Sequence, residues 1–285
     1  MEERDRVTLQ EKYRSLESAG DAILATNFYN FETISGVLRA AAELELPLIL
    51  QASPGTIRYL GTEMTASIAR SALKQYGVQG WLHLDHAESV DLITECLDAG
   101  FDSVMIDASE KSFEENVEKT GSVVELAREY GACVEAELGY VAKLGQSHEK
   151  EGFTKPEEAE RFCKMTGVDA LAVAIGSAHG FYKREPKLDL QRLDQINQVT
   201  ECSLVLHGGS GIPDGAIQES IRLGIRKINL ATEIKDIFMQ TLQKTLKESD
   251  EIDLRKVFPK ATNAVTGLVK QKLSMVRDVH VSAGS

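Results

Sequence analysis

Three of the six histidines in this chain, His86, His179 and His207, each follow a short apolar segment with the composition of a β-strand. Three neutral imidazoles that leave a fourth position open form the usual ligand set of a catalytic zinc ion. A single histidine at a strand end is more often a core or capping residue, but three together favour a metal. The sequence therefore predicts a divalent cation site, most simply zinc, at these residues.

Acidic residues occupy neighbouring strand ends. Asp85 directly precedes His86, and consecutive residues of a regular strand point to opposite faces. Both can serve one site only if the strand ends near Asp85 and the chain turns. A carboxylate there could move a proton as a carbon–carbon bond breaks, or it could instead orient a ligand histidine. Glu137 and Asp107 are predicted as alternate metal ligands or as anchors for the ligands.

Two glycine-containing or polar segments are suited to binding an anion. The stretch HGGSGIPDG (207–215) precedes a predicted helix, so its backbone amides can approach a phosphate at the helix N-terminus. The stretch INLATE (228–233) follows the next strand, where barrels of parallel strands commonly complete a phosphate site. Asn27 and Ser53 add polar groups at the ends of the first two strands. The sequence thus predicts a phosphorylated small-molecule substrate.

Eight strands must position these residues. Short β-branched segments alternate with amphipathic helical patterns along the whole chain, without a linker, which predicts a single-domain (β/α)₈ TIM barrel of the α/β class over residues 1–285. No glycine-rich dinucleotide turn or Walker loop follows the first strand. We also expect an N-terminal helix at 1–20 and a lid-like loop at 140–155. The predicted strands are 22–27, 47–53, 82–86, 103–109, 133–139, 170–176, 204–210 and 227–233.

Composition narrows the class of protein. The 285 residues are 42% hydrophobic and 27% charged, with a formal net charge of −12, which argues against a nucleic-acid or anionic-membrane partner. No apolar run reaches the ~18 residues of a membrane span, and the charged N-terminus does not resemble a signal peptide. A cytoplasmic protein is expected. The four cysteines lack a C-x-x-C pair and are expected to be reduced and mostly buried.

Six ordered motifs resemble the class II fructose-bisphosphate and tagatose-bisphosphate aldolases, from about residue 20 to the C-terminus. They are HLDH (83–86), MIDAS (105–109), VEAELG (134–139), AIGSAHGFY (174–182), VLHGGSGIP (205–213) and INLATE (228–233). The resemblance is closer to the tagatose-bisphosphate branch. It implies reversible cleavage of a ketose 1,6-bisphosphate or ketose 1-phosphate to dihydroxyacetone phosphate and an aldehyde such as glyceraldehyde 3-phosphate.

The resemblance also implies roles for individual residues. The catalytic aspartate corresponds to Asp85, the zinc ligands to His86, His179 and His207, and an alternate ligand to Glu137. A monovalent cation, sodium or potassium, is implied near backbone carbonyls of the phosphate site, and a homodimer or homotetramer in which Lys235 binds the distal phosphate of a neighbouring subunit's substrate. The implied contacts to dihydroxyacetone phosphate are Gly180, Gly208, Gly209, Ser210, Asn229, Leu230, Ala231 and Thr232.

One segment departs from the family pattern. The family carries a Gly-Gly-x-Glu-Asp stretch after its strand-five motif, whereas this chain has Tyr-Val-Ala-Lys-Leu at 140–144. Glu149 or Glu151 could replace the missing carboxylate. The departure leaves open an aldolase with a different aldehyde partner. It also leaves open a non-catalytic sugar-phosphate-binding relative, or a metal-dependent isomerisation of a phosphosugar.

Overall fold

Eight parallel strands form a closed barrel in the computed structural model, which describes residues 7–139, 142–143, 152–180, 182 and 186–280, with only the backbone at 142–143. Around the barrel the order is β1-β10-β9-β7-β5-β4-β3-β2, so β1 closes against β10. The predicted (β/α)₈ fold is confirmed. The barrel strands are β1 (Ile23–Asn27), β2 (Leu48–Ala52), β3 (Gly80–Ala87), β4 (Ser103–Ile106), β5 (Cys133–Leu138), β7 (Ala170–Val173), β9 (Ser203–Leu206) and β10 (Ile225–Leu230).

Helices follow the strands and cover the outside of the barrel. Most begin at a side chain that accepts a backbone N–H, such as Asn30 before α2 and Ser112 before α6, as expected for N-caps. Gly131 ends α6 with a φ of 66°, in the left-handed region that favours glycine. The helices are α1 (Leu9–Ala19), α2 (Phe31–Leu44), α3 (Pro54–Leu60), α4 (Thr62–Tyr76), α5 (Val90–Asp98), α6 (Phe113–Tyr130), α7 (Pro156–Thr166), α8 (Leu190–Val199), α9 (Asp214–Arg222), α10 (Thr232–Glu248) and α11 (Leu254–Arg277), followed by a 3₁₀ turn (Asp278–His280).

Helix α1 covers the amino-terminal end of the barrel. Its buried residues Leu9, Tyr13 and Leu16 pack in one apolar cluster with the barrel residue Trp81, whose Nε1 donates to the carbonyl of Val7 at 3.0 Å. The helix predicted at 1–20 is therefore found at Leu9–Ala19, and residues 1–6 lie outside the described part of the chain. The opposite, carboxyl-terminal end of the barrel is left for the predicted site.

The predicted lid at 140–155 is only partly described, because 140–141 and 144–151 lie outside the described residues. Within it, β6 (Ala142–Lys143) pairs in parallel with β8 (Ala178–His179), outside the barrel sheet. Thr154 then joins two barrel strand ends, since its Oγ1 donates to the Leu138 carbonyl and accepts from Ala174 N. The segment that carries His179 is thus paired with part of the predicted lid.

The cysteine expectation is half correct. Cys96 and Cys133 are free and buried as predicted, but Cys163 in α7 forms a disulfide with Cys202 just before β9, so the expectation of four reduced thiols is wrong. The two partners are 39 residues apart in the chain and meet because α7 and α8 are neighbours around the barrel. Sequence spacing alone does not reveal that proximity. Among the described helices, none is both long and apolar enough to cross a membrane.

Candidate active site

The three predicted ligand histidines converge at the carboxyl-terminal mouth of the barrel. His86 is in β3, His179 in β8, and His207 directly follows β9. Their ring centroids are 4.7 to 5.7 Å apart, and one candidate ligand atom from each lies within 4.8 Å of the others. Nitrogens around a tetrahedral zinc ion lie about 3.4 Å apart. Small side-chain movements would therefore close this set around a divalent cation, and the donor chemistry suits zinc.

The backbone turns at His86, as the adjacency of Asp85 and His86 requires. His86 has a φ of 54°, in the left-handed region that residues other than glycine rarely adopt. The pairing of β3 with β4 shifts register between Leu84 and Ala87, which is the signature of a bulge. Because of this bulge, the Asp85 carboxylate and the His86 ring face the same mouth, with Oδ1 and Nε2 4.0 Å apart.

Asp85 is held by three amide side chains from three other strands. Its carboxylate accepts from Asn27 Nδ2 and Gln51 Nε2 at 2.9 Å each, and from Asn229 Nδ2 at 3.4 Å. Burial raises the pKa of Asp85, but the neighbouring imidazoles outweigh it, so the pKa lies below its usual value. The group is therefore a fixed carboxylate that can accept a proton from a substrate hydroxyl.

The two alternate metal ligands differ in position. Asp107 Oδ2 lies 2.7 Å from His86 Nδ1, and Oδ1 accepts from Ser109 Oγ. Burial raises the Asp107 pKa, but the hydrogen bonds from His86 and Ser109 and the charge of His86 together outweigh it, so the pKa lies well below its usual value. Glu137 Oε2 lies 2.8 Å from His207 Nδ1, at the mouth itself. Asp107 therefore orients the ring of His86, a predicted ligand, and Glu137 is placed where it could exchange with a metal at His207.

His207 contacts carboxylates through both ring nitrogens. Glu135 Oε1 lies 2.9 Å from Nε2, on the opposite side from Glu137. Burial lowers the pKa of His207, but the hydrogen bonds to the two carboxylates outweigh it and raise the pKa to about 10. A metal ligand must be unprotonated, so cation binding at His207 displaces a proton.

The glycines after β9 allow close approach of backbone segments. A Cβ at Gly208, whose φ is 67°, would lie 2.4 Å from the Ala178 carbonyl, and one at Gly209 would lie 2.8 Å from the Asn229 carbonyl. Ser210 Oγ accepts from the backbone of Glu233 at 3.4 Å. These contacts bring the loop after β9 beside the end of β10. The two segments predicted to bind an anion, 207–215 and 228–233, are therefore neighbours.

Helix α10 begins at this loop. Its N-cap residue Ala231 cannot cap the helix with a side chain, so the first-turn amides, from Thr232 on, can receive an anion. Leu230 is buried at the end of β10. Gly180 lies next to His179, and the Tyr182 hydroxyl bridges the two loops by donating to the Gly208 carbonyl and accepting from Ala178 N. The predicted contacts to dihydroxyacetone phosphate are therefore brought together.

Two predicted contacts lie further out. Ser53 caps α3, with its Oγ accepting from Thr56 N at 3.3 Å, so the local structure accounts for a hydroxyl at this position. Lys235 is exposed on α10, with Nζ 5.5 Å from the centre of the Tyr29 ring. Glu149 and Glu151 lie outside the described residues.

Three polar residues of this region were not predicted: Gln51, Glu135 and Lys227. Gln51 is the one polar residue within the strand segment LILQA. Glu135 and Lys227 lie two residues before Glu137 and Asn229 respectively, and alternate residues of a strand share a face. That spacing was the signal that could have placed both inside the barrel, beneath the site.

Comparisons with known proteins agree with this geometry. The family model described as "Fructose-bisphosphate aldolase class-II" matches residues 7–280. The D-tagatose-1,6-bisphosphate aldolase subunit GatY of Klebsiella oxytoca is 42% identical over 258 residues, which is 89% of this chain and 91% of the relative.

Solved structures share the fold. The YdjI aldolase of Escherichia coli K12 superposes with a TM-score of 0.83 at 30% identity, covering 96% of this chain and 98% of that one. The fructose-bisphosphate aldolase of Campylobacter jejuni gives a TM-score of 0.82 over 95% of each chain, and at 23% identity it supports the fold alone. Because the family model matches residues 7–280, nearly the whole chain, this chain belongs to the class II fructose-bisphosphate aldolase family.

Proposed function

We propose that this chain cleaves D-tagatose 1,6-bisphosphate to dihydroxyacetone phosphate and glyceraldehyde 3-phosphate, with zinc held by His86, His179 and His207. Reversible cleavage of a ketose bisphosphate is the activity of its family, and the tagatose substrate is supported by the relative of that activity at 42% identity. The observation that carries the proposal is the convergence of three imidazoles and the Asp85 carboxylate at one barrel mouth.

Asp85 would perform the proton transfer. In cleavage, its carboxylate accepts the proton of the C4 hydroxyl while the C3–C4 bond breaks, and the released aldehyde forms at C4. The bonding electron pair stays with C3, and C3 then takes up one proton, which balances the proton that Asp85 accepts, to give dihydroxyacetone phosphate. When bound, the zinc ion supplies a Lewis acid that polarises the substrate's oxygens. Glu137 could serve as an alternate ligand, because it already lies against His207 Nδ1.

The C1 phosphate would bind at the loop after β9 and the start of α10. With a net charge of −12 over the chain, the attraction has to come from local amides rather than from the overall field. We extend this proposal to a sodium or potassium ion at the carbonyls near Gly180, Gly208 and Ser210. Replacing sodium and potassium in the assay buffer with tetramethylammonium would then lower activity. Unchanged kinetics would contradict the proposed monovalent cation site.

We propose a homodimer or homotetramer in which the exposed Lys235 binds the distal phosphate of a neighbouring subunit's substrate. Mixing Lys235→Ala subunits with Asp85→Asn subunits tests this, because mixed oligomers would regain some fully equipped sites. The relative's name contains the word "subunit", so light scattering of the purified chain also tests assembly with itself. We propose the cytosol as its location, because bisphosphates do not cross bilayers unaided; cell fractionation tests this.

The deciding experiment is an aldol-cleavage assay on zinc-replete protein with the tagatose and fructose 1,6-bisphosphates. We expect the tagatose substrate to give the higher kcat/KM, a chelator to abolish turnover and added zinc to restore it. Full activity after zinc removal would contradict the proposed zinc dependence. A preference for the fructose substrate would contradict the substrate proposal while leaving the aldolase chemistry intact.

A further inference from the structure

A buried ionic layer lies inside the barrel beneath the three histidines. Lys227 Nζ contacts Glu135 Oε2 at 2.5 Å and His83 Nε2 at 3.4 Å. Glu135 Oε1 continues to His207 Nε2 at 2.9 Å, and His83 Nδ1 contacts Ser103 Oγ at 2.8 Å. The side chains of Lys227, Glu135 and His83 are at most 1% exposed. The layer links a strand that carries no metal ligand, β10, to the ligand His207.

Packing alone does not account for an ion pair at this depth. Taking a lysine and a glutamate out of water costs several kcal/mol per ion, and well-packed apolar residues usually replace such a pair without loss of stability. Barrel interiors are normally filled by branched apolar side chains, and Ile23, Ile49 and Val205 belong to the apolar cluster that contacts α1. Beneath the mouth, the described charged pair Lys227 and Glu135 lies in the layer that touches His207.

The geometry fixes which nitrogen of His207 faces the mouth. Glu137 lies two residues closer than Glu135 to the carboxyl end of β5, so Nδ1 faces the mouth and Nε2 faces the interior. An imidazole that binds a metal through one nitrogen carries its proton on the other, and the partner of that proton sets the orientation of the ring. Glu135 is that partner here, as long as its carboxylate stays within hydrogen-bond distance of His207 Nε2.

We propose that Lys227 is a positioning residue for the metal site: by holding Glu135, it keeps the proton of His207 on Nε2 and presents Nδ1 to the cation. This inference rests on the proposed zinc site at His86, His179 and His207. The second oxygen of Glu135, Oε2, forms a salt bridge with Lys227 Nζ. His83, which is buried with its pKa lowered to about 3 by burial and by Lys227, stays neutral and stabilises the ammonium from the other side.

The test compares zinc affinity in two variants of adjacent residues. Lys227→Met removes the inward-facing cation, whereas Arg226→Met removes the neighbouring cation, which is also buried but contacts Glu17 and the backbone outside the barrel. Zinc dissociation constants are measured by competition with a chromogenic chelator on folded protein. We expect Lys227→Met to weaken zinc binding about 10- to 100-fold, as for other partners of metal ligands. Arg226→Met should stay within about threefold, although both variants lose stability.

A double variant, Lys227→Met with Glu135→Gln, separates positioning from charge burial and serves if the single variant does not fold. It leaves no buried charge unpaired, so its thermal stability should recover. Its zinc affinity should still be roughly tenfold weaker, because the amide is no longer held against His207. Wild-type affinity in the double variant, or in Lys227→Met itself, would overturn the inference. A different result would contradict the proposed zinc site itself. In that case the wild-type protein would bind no zinc at micromolar concentration, and neither would His207→Ala.

Discussion

Asp85→Asn is the most direct test of the proton-transfer role. The substitution keeps the shape of the side chain but removes the negative charge and one acceptor. In the wild-type protein both carboxylate oxygens are used, one by Asn27 Nδ2 and the other by Gln51 Nε2, each at 2.9 Å. The new amide nitrogen therefore has to face a side chain that also donates, and one of these two hydrogen bonds is lost.

The expected effects on stability and on turnover differ in size. Leaving one buried donor without an acceptor costs about 1–3 kcal/mol of folding free energy, which a barrel of this size tolerates. Loss of the general base lowers kcat by about 10² to 10⁴. Each factor of ten corresponds to about 1.4 kcal/mol, so the barrier rises by roughly 3–5 kcal/mol. The catalytic loss therefore exceeds what a modest loss of folded protein could cause.

The measurement is single-substrate kinetics with tagatose 1,6-bisphosphate, together with zinc content and a thermal melt of the same preparation. The matched control is Gln51→Glu, which replaces one amide partner of Asp85 and leaves the base itself in place. We expect the control to alter the apparent pKa of the activity profile rather than to abolish turnover. A kcat of Asp85→Asn within threefold of the wild type, at full zinc content, would refute the role of Asp85.

Three further predictions concern parts of the chain around this base. Asp107→Asn should weaken zinc binding about 10- to 100-fold; because the Asp107 pKa is lowered in the folded state, its stability contribution is present above the unfolded pKa near 4 and fades at lower pH. Urea melts from pH 3 to 7 should show that the gap in stability between the variant and the wild type narrows below about pH 4, and a gap independent of pH would contradict the assignment. Gly208→Ala should raise KM several-fold, because the new Cβ would lie 2.4 Å from the Ala178 carbonyl and displace the loop; the left-handed φ also costs about 1–2 kcal/mol of folding free energy. Gly215→Ala, with open space around its Cβ, should leave KM unchanged. Reductant should lower the melting temperature of the wild type but not that of the double variant Cys163→Ser with Cys202→Ser. A disulfide between residues 39 positions apart contributes up to about 4 kcal/mol to the free energy of unfolding. Equal shifts in both proteins would argue against the disulfide.

The eight strands and the site at their carboxyl ends could be predicted from sequence because both depend on local patterns. Apolar β-branched segments mark strands wherever they occur, and polar residues that end such segments must gather at one rim of a closed barrel. The lengths of individual strands were less accurate. The pattern predicts the fourth strand at 103–109, whereas the strand ends at Ile106. The residues that follow, including Asp107, belong to the loop that forms the site.

The position of Asp85 beside His86 was the one place where local rules predicted an irregularity rather than a regular element. Two adjacent residues cannot face one site from a regular strand, so the sequence required a turn there. The structure supplies a bulge with His86 in the left-handed region. A residue with positive φ and a bulky side chain costs free energy, and surrounding contacts such as the one from Asp107 to its Nδ1 hold it in place.

The disulfide and the ionic layer could not be found in the same way, because both depend on which strands become neighbours. The layer nevertheless follows from the alternation of side chains along a strand. His83, Glu135 and Lys227 lie two residues before Asp85, Glu137 and Asn229, and period-two alternation places each pair on one face of its strand. Each of these site residues at the mouth therefore has a companion below it on the same face of its own strand. Where that companion is charged, as on β5 and β10, it must be paired, and on β3 the neutral His83 contacts the Lys227 ammonium. The upper layer would then carry the chemistry, and the lower layer would hold the upper layer in position.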